Sequence, residues 1–309
     1  MVDMTNVLPS SAIEPMPGLA SRLEVPAQDL LVLREDLIGI AGGGNKVRKA
    51  MAALGRAATD GVAHIVTTGA PQSNHARAAA LVGAWLGLQV TLVLEGEQPS
   101  VRTGNLLLEE LAGAEVVWAG LEAPGAVADR VAGEVSRTVR VIPFGGSDAS
   151  AVDVYAAVGE DLMRRVPDLR HAVVAAGSGA TAAGLIAALG ADRVLAVDTG
   201  AVPDVRATIA GLVREARPAE RVDAGALRID PGQVGDGYAS IPPNVLGAVR
   251  NALADDGIVF DVTYAGRALA GLSAAIGSGA IRSGERTVLV HTGGVPGLFG
   301  HPGFLRTPR

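Results

Sequence analysis

Lysine and arginine together number 26, yet only Lys46 and Lys49 are lysine; the other 24 are arginine. A guanidinium stays protonated at working pH. An amine can lose its proton, act as a base and condense with a carbonyl to give a Schiff base. The two lysines sit three residues apart in Gly42-Gly-Gly-Asn-Lys46-Val-Arg-Lys49, a glycine-rich run leading into a helical pattern. The plain alternative is a solvated pair kept by chance in a genome that favours arginine.

A second constellation lies at residues 172–198, AVVAAGSGATAAGLIAALGADRVLAVD. An apolar strand runs into Gly177-x-Gly179-x-x-Ala182, a helical stretch follows, and Asp198 closes the next strand. This is the pattern of a dinucleotide site, with Asp198 as the ribose-binding acid, and it would make the protein an NAD(P)-dependent oxidoreductase. The underlying physics is broader. Glycines let backbone N–H groups converge, and a helix N-terminus favours any phosphate, a monoester included. Several strand–helix units also precede this loop, whereas a dinucleotide motif usually opens its domain.

Composition removes other classes. A formal net charge of −6 argues against nucleic-acid binding, and the absence of cysteine excludes disulfides, thiolate metal sites and a cysteine nucleophile. The five histidines (64, 75, 171, 291 and 301) are scattered, so no metal site is expected. No secretory signal is visible at the start, and the uncharged run 172–191 breaks at its glycines into strand, loop and helix. A cytoplasmic protein without membrane contact is the expectation.

These residues must be positioned by a framework of alternating elements. Strands are predicted at Leu30–Arg34, His64–Thr68, Val90–Glu95, Glu115–Ala119, Val139–Phe144, Ala172–Ala176, Val194–Asp198 and Thr287–His291. Helices are predicted at Lys46–Ala58, Asn74–Leu86, Thr103–Leu111, Ala151–Arg165, Thr181–Leu189 and Tyr264–Ile281. Strands separated by helices of this length imply βαβ units, hence an α/β fold with parallel sheets flanked by helices. Polar loops at 68–75, 144–148, 176–181 and 291–294 follow four of the strands. All four are expected to open at one sheet edge, where ligands of such folds bind.

Taken in order, Gly44-Asn-Lys46-Val-Arg-Lys49, Gln72-Ser-Asn-His75-Ala-Arg77, Gly104-Asn-Leu-Leu-Leu108, Pro143-Phe-Gly-Gly-Ser147 and Thr292-Gly-Gly294 are similar to blocks of one family. It is the pyridoxal-phosphate enzymes of the D-cysteine desulfhydrase and 1-aminocyclopropane-1-carboxylate (ACC) deaminase family. The resemblance runs from about Leu33 to Phe299. It implies fold type II, tryptophan synthase beta-like, with two open twisted parallel-type sheets flanked by helices. It further implies a larger domain from 1–47 and 148–309, a smaller inserted domain at 48–147, a homodimer, and the cofactor in the cleft between domains.

Carried over, the resemblance makes Lys46 the Schiff-base lysine and Lys49 a phosphate ligand. Asn74 would hydrogen-bond the 3′-oxygen of pyridoxal phosphate, and Ser73 and His75 would meet the substrate carboxylate. The backbone of Gly177, Ser178, Gly179, Ala180 and Thr181 would cradle the phosphate. Tyr238 and Tyr264, 26 residues apart like the family's tyrosine pair, would act on the substrate.

Two positions speak to the reaction. The family's ring-opening deaminases typically carry glutamate after the second tyrosine and leucine before the Gly-Gly. Its desulfhydrases carry serine or threonine, then threonine. This chain has Ala265 and Thr292. A carboxylate beside the pyridine nitrogen makes the ring a strong electron sink, whereas a hydroxyl makes a weaker one. Thr292 as the nitrogen's partner therefore favours β-elimination from a D-cysteine-like amino acid to pyruvate, ammonia and sulfide. ACC ring opening, or elimination from another β-substituted alanine such as cysteate, is the alternative.

Overall fold

A computed structural model describes residues 8–135, 137–219 and 222–305. Among them ten strands run in chain order: β1 Ala12–Pro15, β2 Leu30–Arg34, β3 His64–Gly69, β4 Gln89–Leu94, β5 Glu115–Trp118, β6 Val139–Ile142, β7 His171–Ala176, β8 Val194–Asp198, β9 Arg228–Asp230 and β10 Thr287–His291. The helices are α1 Pro17–Arg22, α2 Asn45–Thr59, α3 Asn74–Trp85, α4 Gly104–Leu111, α5 Pro124–Glu134, α6 Ala149–Arg165, α7 Ala180–Leu189, α8 Val205–Ala216, α9 Pro243–Asp256, α10 Ala265–Gly277, and two single-turn helices, α11 Val295–Leu298 and α12 Pro302–Leu305.

The chain divides into two compact units. The first comprises residues 8–9, Gly39–Ser147 and 296–305, and the second Ser10–Ile38 and Asp148–Val295. In the first, four parallel strands lie in the order β5-β4-β3-β6. Val66 and Val93 pack against Val127 and Ala128 of α5 to form one of its core clusters. In the second, six strands lie in the order β1-β2-β10-β7-β8-β9, all neighbours parallel except the β1/β2 pair. Strands buried on both faces read as continuous apolar runs, and His171–Ala176 is buried at every position.

Two sheets overturn the expectation that all four polar loops open at one edge. Loops 68–75 and 144–148 follow β3 and β6, neighbours in the first sheet. Loops 176–181 and 291–294 follow β7 and β10, neighbours in the second. Parallel pairing puts both loops of each pair at the carboxyl edge of their own sheet, so each unit carries one loop pair.

The uncharged run 172–191 holds the six-residue strand β7, a turn and the ten-residue α7. Nothing in it is long enough to span a bilayer, since ten helical residues cover about 15 Å against about 30 Å of hydrocarbon. No helix among the described residues is long and apolar enough to cross a membrane. Eight of the ten residues of α7 are buried, and α6 packs against it through glycines. A Cβ at Gly184 would stand 2.5 Å from both Tyr155 Cβ and Val152 O, and one at Gly159 would stand 2.7 Å from Ala188 Cβ.

Candidate active site

In the first unit, three chain segments meet around the lysines. Gly42, Gly43 and Gly44 all have φ near +70° to +96°, a left-handed path that side-chain-bearing residues rarely take, and the path ends at the N-terminus of α2. Lys46 and Lys49 occupy the first turns of α2, three residues apart and so on one face. The Lys46 Nζ donates to the backbone oxygen of Gly145, 2.8 Å away. Although part of the side chain is accessible, its amine lies deep among protein atoms. That desolvation lowers its pKa from 10.5 to about 8. Lys49 is 3% exposed.

The acceptor for Lys46 exists because the turn after β6 bends left-handed twice, at Gly145 (φ 67°) and Gly146 (φ 57°). A Cβ on Gly146 would also stand 3.0 Å from the His75 ring. His75 is buried, and its tautomer follows from its partner. The Thr67 hydroxyl donates to the Ile142 oxygen, leaving a lone pair to accept from His75 Nε2 at 2.8 Å. The Nδ1 atom is then a bare acceptor, with no hydrogen-bond partner among the described residues. Burial, with Lys46 and Lys49 nearby, holds the imidazole well below its usual pKa, so it is neutral. Ser73 caps α3 by accepting from Ala76 N at 3.1 Å, which leaves its hydroxyl proton to donate elsewhere. The backbone N–H groups of Asn74 and His75, in the first turn of α3, have no intrahelical acceptor.

Behind these, Arg77 is fully buried and donates to the oxygens of Gly42 and Gly43, each at 3.0 Å, tying α3 to the loop that delivers Lys46. Glu109 on α4 is buried near Arg77. Burial raises its pKa to about 8, against the pull of Arg77, and neither carboxyl oxygen has a hydrogen-bond partner among the described residues.

In the second unit, β7 ends in Gly177-Ser-Gly179, and α7 begins at Ala180 with Gly179 (φ 88°) as its N-cap. A Cβ on Gly177 would stand 2.9 Å from the Tyr264 ring, so the tyrosine packs directly on the turn's backbone. The hydroxyls of Tyr238 and Tyr264 are 2.5 Å apart, with the rings edge to face at 5.9 Å. Burial, with the neighbouring Tyr238, pushes the Tyr264 phenol well above its ordinary pKa. Thr292 follows β10 and is 6% exposed.

Two buried side chains hold the tyrosines and were not singled out in the sequence. Asp261 accepts from the N–H groups of Thr263, Tyr264 and Ala265 at 2.8 to 2.9 Å, starting α10 and aiming Tyr264. Arg267, fully buried, donates to the backbone oxygens of Thr199, Gly237, Tyr238 and Ser240, gripping the loop that carries Tyr238. A glycine-rich Gly-Asp-Gly-Tyr loop lacks regular hydrogen bonding, and that need was the one available signal.

The expectation that Asp198 serves a nucleotide ribose meets a different local use: its carboxylate accepts from Gly200 N at 2.8 Å and closes its own turn. No group of three or more metal-ligating side chains is gathered among the described residues. The donors fit pyridoxal phosphate. A buried amine with depressed pKa suits the aldehyde, and a turn at a helix N-terminus, narrowed by Gly177 and Gly179 to bare backbone, suits the phosphate.

Comparison with known proteins agrees. The model of the pyridoxal-phosphate-dependent enzyme family matches residues 8–293. A Pyrococcus abyssi protein provisionally named a 1-aminocyclopropane-1-carboxylate deaminase is 32% identical over 304 residues, 93% of this chain and 90% of that one. A D-cysteine desulfhydrase of Salmonella paratyphi A is 31% identical over 319 residues, 93% of this chain and 94% of that one. Among solved structures, an ACC deaminase homologue aligns with a TM-score of 0.86 at 28% identity, covering 96% of this chain and 93% of its own. Threonine deaminase isoform 2 of Solanum lycopersicum, at 16% identity and a TM-score of 0.69 over 94% of this chain and 81% of its own, shares the fold. A buried lysine of lowered pKa and a glycine turn at a helix N-terminus are in keeping with these matches, which place the chain among the fold type II pyridoxal-phosphate-dependent enzymes, in the ACC deaminase and D-cysteine desulfhydrase family.

Proposed function

We propose that the protein is a carbon–sulfur lyase that eliminates the β-substituent of a D-cysteine-like amino acid, giving pyruvate, ammonia and hydrogen sulfide with uptake of one water. Lys46 would hold the cofactor's aldehyde, Lys49 and the Gly177–Thr181 backbone its phosphate, Asn74 its 3′-oxygen and Thr292 its ring nitrogen. When bound, the cofactor supplies an electron sink for the pair left at Cα. Lys46, already close to losing its proton near neutrality, takes the Cα proton. The substrate carboxylate is received by the Ser73 hydroxyl and the first-turn N–H groups of α3. His75 contributes there through its backbone, because its buried ring offers a lone pair and no proton. The hydroxyls of Tyr238 and Tyr264, joined by one hydrogen bond, would orient the leaving sulfur.

The observation that carries the choice of reaction is the pairing of Ala265 with Thr292. Position 265 presents only a methyl, and the nearby buried carboxylate, Asp261, is already occupied by three backbone N–H groups. Thr292 then offers the ring nitrogen a neutral hydroxyl. A weak sink suffices when Cβ bears a good leaving group and serves ring opening poorly. By family resemblance we further infer a cytoplasmic homodimer.

The test is a product panel on purified, cofactor-loaded protein over D- and L-cysteine, β-chloroalanine, serine, cysteate and ACC. Pyruvate and sulfide from D-cysteine at the highest kcat/KM is the expected result. Faster formation of 2-oxobutyrate from ACC, or of pyruvate from cysteate, would overturn the assignment.

A further inference from the structure

The motif Gly104-Asn-Leu-Leu-Leu108 has no part in the site as described, yet its Asn105 is fully buried beside Asn74. The orientation of its amide is dictated by its neighbours. Nδ2 of Asn105 lies 2.7 Å from the backbone oxygen of Gln72 and 3.0 Å from Oδ1 of Asn74. A backbone carbonyl can only accept, so the atom facing it is the donating nitrogen. With one hydrogen given to Gln72, the other points at Asn74, whose facing atom must be its oxygen. Asn74 is thereby obliged to turn its own NH2 away from Asn105, and that NH2 makes no hydrogen bond to the described residues.

Asn105 is itself held. Its backbone N donates to Gln72 Oε1 at 2.9 Å, and Gln72 Nε2 donates to Thr103 O at 3.0 Å. Gly104 (φ +57°) permits this approach, because a Cβ there would stand 2.5 Å from Gln72 Oε1. The arrangement carries a cost. The Asn105 Oδ1 atom is buried with no partner among the described residues, a penalty of the kind a leucine in its place would avoid. An amide kept at that cost is explained by orientation, not by stability.

We propose that Asn105 is a positioning residue that locks the Asn74 amide with its N–H donors presented to the 3′-oxygen of pyridoxal phosphate. This rests on the role given to Asn74 under the proposed function. Donation to that oxygen favours its ionised form, so the chromophore formed with Lys46 sheds its proton at a lower pH. If the amide is free to turn over, its carbonyl faces an anion and the proton is held more tightly.

The experiment is a spectrophotometric pH titration of the visible band in the cofactor-loaded protein, comparing wild type, Asn105→Leu, Asn105→Asp, Asn74→Ala and the Asn74→Ala/Asn105→Leu double variant. Asn105→Asp preserves size and shape and reports if the leucine variant does not fold. Each single variant is expected to raise the apparent pKa by about one unit, the size of one charge-assisted hydrogen bond. The double variant is expected to rise no further than Asn74→Ala. Asn105 variants that titrate like wild type while Asn74→Ala is shifted would overturn the inference and leave the role of Asn74 standing. An unshifted Asn74→Ala would remove that role and the inference with it. Additive shifts in the double variant would show Asn105 acting by another route and would equally sink the relay.

Discussion

Lys46 is distinguished less by being a lysine than by where its amine is kept. Desolvation takes its pKa to about 8, so about a tenth is unprotonated at pH 7, whereas an exposed lysine would be almost wholly charged. The backbone oxygen of Gly145 steadies the amine without adding a negative charge that would restore its proton. The rate of trapping pyridoxal phosphate on Lys46 by borohydride should therefore be half-maximal near pH 8. Peptide mass mapping of the trapped protein across pH measures it. A midpoint near 10.5, or an adduct on Lys49 instead, would refute the assignment.

At the scale of elements, each unit uses a fully buried arginine to fix a glycine-bearing loop by its backbone oxygens. Arg77 grips the loop before α2, and Arg267 grips the loop bearing Tyr238. The glycine turn before α7 depends instead on close packing. Helix α6 lies against α7, and Tyr155 of α6 donates to the buried Glu35 at 2.7 Å, so α7 has little freedom to shift. Adding one methyl at Gly184 drives a Cβ into the backbone of Val152. Gly184→Ala should cost about 1–3 kcal/mol by overpacking and lower the melting temperature of the cofactor-free protein. Differential scanning calorimetry tests this, and an unchanged Tm would mean that the α6–α7 contact is looser than the geometry implies.

For the molecule as a whole, the buried Glu109 makes stability pH-dependent. Its folded pKa, about 8, lies above the 4.5 of an exposed glutamate. Between those values the folded chain holds a proton that the unfolded chain releases. Its contribution is thus fully present below about pH 4.5 and is lost as pH rises toward 8. Glu109→Gln keeps the shape without the titration. The denaturant midpoint of wild type should fall relative to that of Glu109→Gln between pH 5 and 8, by an amount corresponding to a few kcal/mol at most. Parallel midpoint curves would show that Glu109 titrates normally.

The chain's own residues made much of this legible. Leu30–Arg34, Val194–Asp198 and Thr287–His291 emerge as strands with the expected bounds, because each has a short apolar run of the kind a largely buried parallel strand needs. Lys46 stood out because it is one of only two lysines in a chain that otherwise uses arginine. Two strands were not foreseen. Ala12–Pro15 is short, proline-bearing and at a sheet edge, and Arg228–Asp230 has three residues with no apolar run. Helix α10 stops at Gly277, short of the expected Ile281, where the chain turns through Gly279 (φ 73°). Tertiary structure alone decided that the four polar loops belong to two sheets, since strand order depends on which crossovers bury the most surface and leaves no local trace. It also decided the neutrality of His75, the grip of Arg267 and the facing of Asn74, because each is fixed by atoms distant in the chain. Residue type sets what a side chain is able to donate or accept; only its packed neighbours set which atom faces which.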